Sequence, residues 1–279
     1  MFKRWLHFFT TLLMISSIFQ LTDIYAGGPD QQPTSAPWHF TVAPYGWIFG
    51  QNGDMTVQGT KTHIDLTPID VLKNIHYLDF IFQLHMEAAK GPWAVMVDST
   101  YMKISPTSRV DLGTVTVPPG SVPASLDIKT TIKFSILDMG TYYTFLQKTF
   151  SQPYRWIKIE GLLGARDVYI AASMNLTPLR LAQQSASGNA NWFSPMTGAR
   201  MTLHIWRPFA ILLSGDVAGT GSNFSWNTTA LGSYSFNHYT ALALGYRVLS
   251  FDGSRGSGAN KFKMDMIYYG PVIGLVVTW

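Results

Sequence analysis

Eight charged side chains stand singly within stretches otherwise built from Gly, Ser, Thr and apolar residues: Glu87, Asp98, Lys158, Glu160, Arg166, Arg200, Asp216 and Arg247. They divide evenly into acids and bases, so segments that enclose a common interior would let them neutralise one another there. Charges placed away from water form either a pathway or a filling, and an interior narrow enough to be filled by side chains favours the filling. Bond-breaking chemistry would instead need a Ser activated by a His with an orienting acid or amide. His204, His238, Ser214 and Ser235 are the candidates for that arrangement. Ser214 sits in Ala-Ile-Leu-Leu-Ser-Gly-Asp, which has the Gly and the acid but lacks a Gly-x-Ser-x-Gly elbow, so no catalytic residue is assigned. The histidines show no metal-ligand spacing, so neither a metal nor another cofactor is expected. The chain has no Cys, which excludes disulfides, a thiolate site and a lipid-modified cysteine.

The elements that must position these charges are strands. Leu78, Phe80, Phe82, Leu84 and Met86 share one parity, while Asp79, Gln83, His85 and Glu87 share the other. Trp93, Val95, Val97 and Tyr101 continue the apolar face, with Asp98 and Thr100 opposite. Ile157, Ile159, Gly161, Leu163 and Ala165 alternate with Lys158, Glu160, Gly164 and Arg166, and a later strand carries Met196, Gly198, Arg200, Thr202 and His204 on one side. Between residues 126 and 146, Lys129, Thr131, Lys133 and Ser135 share a parity that blurs past Leu137, which predicts a bulge there. At the end of the chain Tyr269, Pro271, Ile273, Leu275, Val277 and Trp279 form an apolar row backed by Gly270, Gly274 and Thr278. Apolar-out and polar-in alternation of this kind describes a barrel wall between lipid and a wetter interior. The final strand resembles the terminal strand of bacterial outer-membrane β-barrels. That resemblance implies that Trp279, Val277 and Leu275 act as an insertion signal for the barrel-assembly machinery.

The connections alternate between short and long. With Trp279 on the inner side of the membrane, the turns at 90–92, 148–153, 207–208 and 237–238 fall inside. The segments at 105–125, 175–191, 221 and 252–261 fall outside. Short inner turns and long outer loops are the pattern of an antiparallel transmembrane β-barrel, and an all-β chain of about ten strands follows, beginning at 38–49. Strands at 55–66 and 110–117 would raise the count to twelve. Pro44 is out of place in an uninterrupted sheet and points to a seam or bulge. Residues 51–75 form an outer excursion with one short helix, capped by Thr67 with Pro68 at its first position, placed over or into the barrel mouth.

Composition agrees with a membrane barrel. Charged residues make up 13% of the chain, against about 25% in soluble domains, and aromatics reach 14%. Two aromatic girdles at the membrane interfaces account for that excess. A soluble secreted β-barrel that binds a small ligand would turn its large apolar faces inward and its charges outward, the reverse of this pattern. At the N-terminus, Lys3 and Arg4 precede an apolar stretch that ends at Ile24-Tyr25-Ala26, so residues 1–26 are expected to be a cleaved signal peptide. Residues 27–37 read as a flexible leader and residues 38–279 as the barrel. A formal net charge of +4 is too small to speak for nucleic acid.

Ordered motifs carry a further resemblance: Pro44-Tyr45-Gly46-Trp47, Gly-Ala-Arg at 164–166 and again at 198–200, Ser214-Gly215-Asp216-Val217-Ala218-Gly219, Gly245-Tyr246-Arg247 and Gly270-Pro271-Val272-Ile273-Gly274-Leu275. Together they resemble a widespread, largely uncharacterised family of Gram-negative outer-membrane β-barrels, with Trp279 where Phe is usual. The resemblance implies fold and location and brings no catalytic residues with it. The expected function is a narrow passive pore or a structural and surface-interaction protein. The alternatives are an outer-membrane lipid A or phospholipid hydrolase and the soluble ligand-binding barrel. The expected partners are outer-membrane lipids and lipopolysaccharide, with periplasmic chaperones and the assembly machinery during biogenesis.

Overall fold

A strand at the edge of a sheet leaves backbone N–H and C=O groups unpaired, and this chain joins its first strand to its last by closing on itself. The computed structural model describes residues 36–57, 60–105, 107–117, 120–151, 155–178, 184–221, 223–257 and 262–279. The expected signal peptide, and the leader up to residue 35, lie outside the described residues. Among the described residues thirteen strands form one antiparallel sheet: β1 (Trp38–Trp47), β2 (Gly50–Val57), β3 (Thr60–Leu66), β4 (Leu78–Lys90), β5 (Trp93–Ile104), β6 (Thr107–Val117) and β7 (Gly120–Thr149), followed by β8 (Trp156–Pro178), β9 (Gln184–Trp206), β10 (Phe209–Thr220), β11 (Asn223–Ser235), β12 (Thr240–Arg255) and β13 (Phe262–Thr278).

Ten of these close a ring in the order β1, β4, β5, β7, β8, β9, β10, β11, β12, β13 and back to β1. Closure joins the two edge strands that an open sheet of these ten would leave free. The ring has ten strands, as the alternation of connections predicts. The segments 55–66 and 110–117 are stranded too, yet neither enters the ring: β2 and β3 form a hairpin on β13, and β6 pairs only with β7. The 105–125 and 175–191 segments, read from sequence as loops, are strands through most of their length. Prolines and small residues there disguise two ladders, one from Thr107↔Lys129 to Val117↔Gly120 and one from Tyr169↔Asn191 to Leu176↔Gln184.

Tight connections gather at one end. Gly91 turns the chain at φ +58°, a conformation that favours glycine, and Asn237 accepts the N–H groups of Tyr239 and Thr240 through its side chain. Long hairpins gather at the other end. Near the turn end, aromatic side chains touch in runs: Trp38 with Phe40 and Phe40 with Trp279; Trp93 with Tyr143 and Tyr143 with Phe145; and Trp206, Phe209, Tyr234 and Phe236 in sequence. Above that belt the outward parity is apolar and exposed, with Val95, Leu163, Phe193, Leu213, Leu244, Ile273 and Leu275 among its members.

The interruption in β7 differs from the sequence expectation. Inward residues alternate without a break from Phe134 through Ile136, Asp138 and Gly140 to Tyr142, and the register shifts only between Thr144 and Leu146. Phe134 and Ile136 point inward while apolar residues also lie on the outer face. The contrast between faces therefore vanishes without any bulge at Leu137.

The helix expected in the excursion is α1 (Pro68–Lys73), followed by a single 3-10 turn at Ile75–Tyr77. Its capping box is complete: Thr67 Oγ1 accepts from the Asp70 N–H at 3.2 Å, and the Asp70 carboxylate accepts from the Thr67 N–H at 3.1 Å. Rather than plugging the mouth, the helix lies against β2 and β13. Pro68 sits on Gly50, where a Cβ would come within 2.7 Å of the proline ring. The Thr67 hydroxyl and then the Thr67 N–H hold the Asp70 carboxyl below its ordinary value. That cap is therefore complete above about pH 4 and lost as pH falls through the lowered pKa. NMR shifts of residues 68–73 should stay helical down to about pH 4 and move toward coil below it.

Candidate functional site: the layered lumen

Strand pairing decides which side chains meet inside the ring. At its lower level, toward the turn end, Arg200 donates to Glu160 from Nε at 2.8 Å and to Glu87 from Nη1 at 2.6 Å and Nη2 at 3.1 Å. Lys158 Nζ pairs with the other oxygen of Glu160 at 3.0 Å. The Arg200 guanidinium also lies 3.9 Å from the centroid of the Tyr142 ring, which gives its flat face a partner.

One level higher, Arg166 donates to Asp138 from Nε at 2.7 Å and from Nη2 at 2.8 Å, a two-point carboxylate contact. Its Nη2 also reaches Asp216 at 2.8 Å, and its Nη1 reaches Ser225 at 3.2 Å. Asn227 joins Asp216 to Arg247: its Nδ2 donates to the aspartate at 2.8 Å, and its Oδ1 accepts from Arg247 Nε at 2.9 Å. Arg247 Nη1 stands 3.3 Å from Asp98, to which the Tyr45 hydroxyl donates at 2.8 Å. His85 links the two levels, with Nδ1 at 3.2 Å from Asp98 and Nε2 at 3.8 Å from Glu87.

All eight charged residues singled out from the sequence enter these two levels. Asp138 and His85 do so as well, along with the neutral Tyr45, Asn227, Thr100 and Ser225. The expected balance of four acids and four bases is therefore corrected to five carboxylates against four permanent cations, with His85 placed between Asp98 and Glu87. Asp138 escaped because its strand had lost its two-faced pattern. His85 had the right parity, but a histidine is not counted among the fixed charges of a sequence.

Above the charges lies an apolar layer. Trp47, Phe49, Phe134, Ile136, Val168, Ile170, Trp192, Leu249, Phe251, Phe262, Met264, Met266 and Tyr268 are buried against one another. Phe49 touches Trp47, Phe134 and Tyr268 with ring centroids 4.6–5.9 Å apart. The boundary between layers is a cation–aromatic contact, Arg247 over the Trp47 ring at 4.9 Å.

The hydrolase candidates do not come together. His204 stacks on Trp156 at 4.4 Å and lines an open pocket at the turn end with Phe150, Ser151, Arg155, Leu203 and Ile205. Ser214 lies mid-strand in β10, Ser235 ends β11, and His238 lies in the turn that follows. Among the described residues no His–Ser hydrogen bond joins them. The apolar row of β13, with Leu275 and Trp279 exposed on it and Val277 between them, faces outward.

No family model matches this chain, and no curated protein matches it. Solved structures do. The outer membrane protease OmpT from Escherichia coli aligns at 8% identity and TM-score 0.41, covering 90% of this chain and 99% of that one. Ail, the attachment invasion locus protein of Yersinia pestis, solved with the heparin analogue sucrose octasulfate, aligns at 11% identity and TM-score 0.31, covering 87% and 98%. The P. putida toluene transporter TodX aligns at 8% identity and TM-score 0.25, covering 89% and 91%. At these values the likenesses assign no activity, and the description of this chain as a closed antiparallel β-barrel rests on its own strand ladder.

Proposed function

We propose that this chain is an integral outer-membrane barrel whose lumen is closed by its own side chains and whose working surface is the hairpin end. The observation that carries this reading is the two-layer filling. Arg166, Glu160 and Asp138 are each no more than 3% exposed, and an apolar layer sits above them. A paired and hydrogen-bonded charge layer presents no row of free ligands for an ion to follow, and the apolar layer offers none at all. The exposed outward band and the aromatic belt beneath it support placement in a bilayer, with the hairpins outside and the turns in the periplasm. On this reading outer-membrane lipids and lipopolysaccharide contact the band. Trp279, Val277 and Leu275 serve the assembly machinery from the same lipid-facing row, and export depends on residues 1–26.

Planar-bilayer recordings test the closed lumen. Folded wild-type protein is expected to give no current above background. Reproducible single-channel steps from heat-modifiable, folded material would replace this reading with that of a narrow pore.

A further inference from the structure

The ring is sealed differently at its two levels. From Trp38↔Lys90 to Pro44↔Leu84, β1 and β4 are paired residue by residue. Pro44 has no N–H to donate, and the ladder ends there. β1 continues along β13 as far as Trp47↔Val272, and β2 carries on from Gly50↔Tyr269. On the other side of β2 stands β3, whose strand partner among the described residues is β2, while on β4 Leu78 and residues 80–83 pair with β5 and are not joined to β1. A seam therefore runs up the wall between β3 and β4.

At the foot of the seam one side chain replaces the missing ladder. Gln83 accepts the Trp47 N–H through Oε1 at 2.6 Å and donates to the Trp47 carbonyl through Nε2 at 3.3 Å. The amide thereby satisfies both backbone groups, as a neighbouring strand would. The surroundings are apolar on both sides of it. Phe80 and Phe82 on β4, and Leu66, Ile69, Leu72 and Ile75 in the crossing from β3, are exposed. Behind the latch begins the buried layer of Trp47, Phe49, Phe134 and Tyr268.

Two properties of that layer point to a guest. Met264 and Met266 are wholly buried in it, and Met55 and Met102 pack on it; unbranched thioether chains can be rearranged around a guest at little cost. Among the described residues the indole N–H groups of Trp47 and Trp192, also buried there, have no hydrogen-bond partner, which is unusual for a folded interior and leaves two donors for an incoming carbonyl. Trp47 is the residue that Gln83 holds. The Arg247–Trp47 contact ends the apolar layer on the charged layer below it, so a guest in the apolar layer would meet a floor there.

We propose that the seam between β3 and β4 is a side entrance from the surrounding leaflet, latched by Gln83, through which a lipid acyl chain enters the apolar upper lumen. The inference goes beyond the closed-barrel reading and rests on its placement of the chain in a bilayer. The probe is a phospholipid vesicle whose lipid carries a diazirine in its acyl chain, followed by irradiation and mass-spectrometric mapping of adducts. Wild-type protein is expected to carry adducts on inward residues such as Phe49, Met264 and Met266, as well as on the outward references Leu213 and Ile273. Gln83→Leu should raise the inward-to-outward ratio several-fold. If that variant folds poorly on heat-modifiability gels, Gln83→Asn, whose shorter amide cannot span both backbone groups, makes the same comparison. Adducts confined to outward residues in every protein, or an inward ratio that the latch substitutions leave unchanged, would overturn the proposal. Loss of the outward adducts in folded protein would instead defeat the bilayer placement itself.

Discussion

Arg166→Leu is expected to destabilise the folded barrel by about 3–5 kcal/mol, the cost of removing one partner from a buried, hydrogen-bonded ion group. Arg166 is 1% exposed and holds Asp138 at two points and Asp216 at a third. Leucine removes the charge and the donors but leaves both carboxylates inside the wall. Asp216 keeps the Asn227 amide, whereas Asp138 keeps only the distant Nη2 of Arg247 at 3.8 Å. Most of the penalty therefore falls on Asp138. The measurement is urea unfolding in lipid vesicles, read by loss of the heat-modifiable band. Adding Asp138→Leu to Arg166→Leu should recover a large part of the loss, because it removes the uncompensated charge. A single substitution that costs less than about 1 kcal/mol would mean that water reaches Asp138, and the filled lumen would have to be abandoned.

Leu213→Arg is the second large effect, expected at about 2–4 kcal/mol for a charge on the lipid face near the bilayer midplane. Leu213 lies at the centre of the outward row Phe209, Ile211, Leu213, Gly215 and Val217 on β10, and is 42% exposed. Its neighbours across the strands are Met201 and Ala230, which offer no counter-charge. The same exposure in water would make the substitution nearly neutral, within about 0.5 kcal/mol. Unfolding measured in vesicles thus separates a lipid-facing wall from a solvated one. A neutral result would point to the soluble barrel that the sequence also allows.

Much of the wall was legible because period-two contrast is local. Leu78 to Glu87, Trp93 to Tyr101 and Tyr269 to Trp279 each show an apolar row and a polar row within a dozen residues, and each row faces as that contrast predicts. The Thr67 cap was legible for the same reason, since its partner Asp70 lies three residues away. Legibility failed where both faces are apolar. On β7 and β8, Phe134, Ile136, Val168 and Ile170 point into the upper lumen, so the alternation that marks an inward face is erased. Asp138 was lost with it, although it is the carboxylate that Arg166 grips at two points.

The chain by itself determined that strands form, which parity of most of them faces outward, and that short turns alternate with longer connections along about ten of them. Those properties follow from side chains and turn residues close together in sequence. Only the tertiary structure decided how the inward charges are partnered and where the wall is left unpaired. Arg200 meets Glu87 across 113 positions, and Arg247 meets Tyr45 across 202. No local pattern can specify such partners, because register and closure are set by the whole ring at once. The seam at Pro44 has the same origin. A proline announced that a ladder would stop, but only the path of β2 and β3 along β13 showed that no strand takes over and that Gln83 stands in its place.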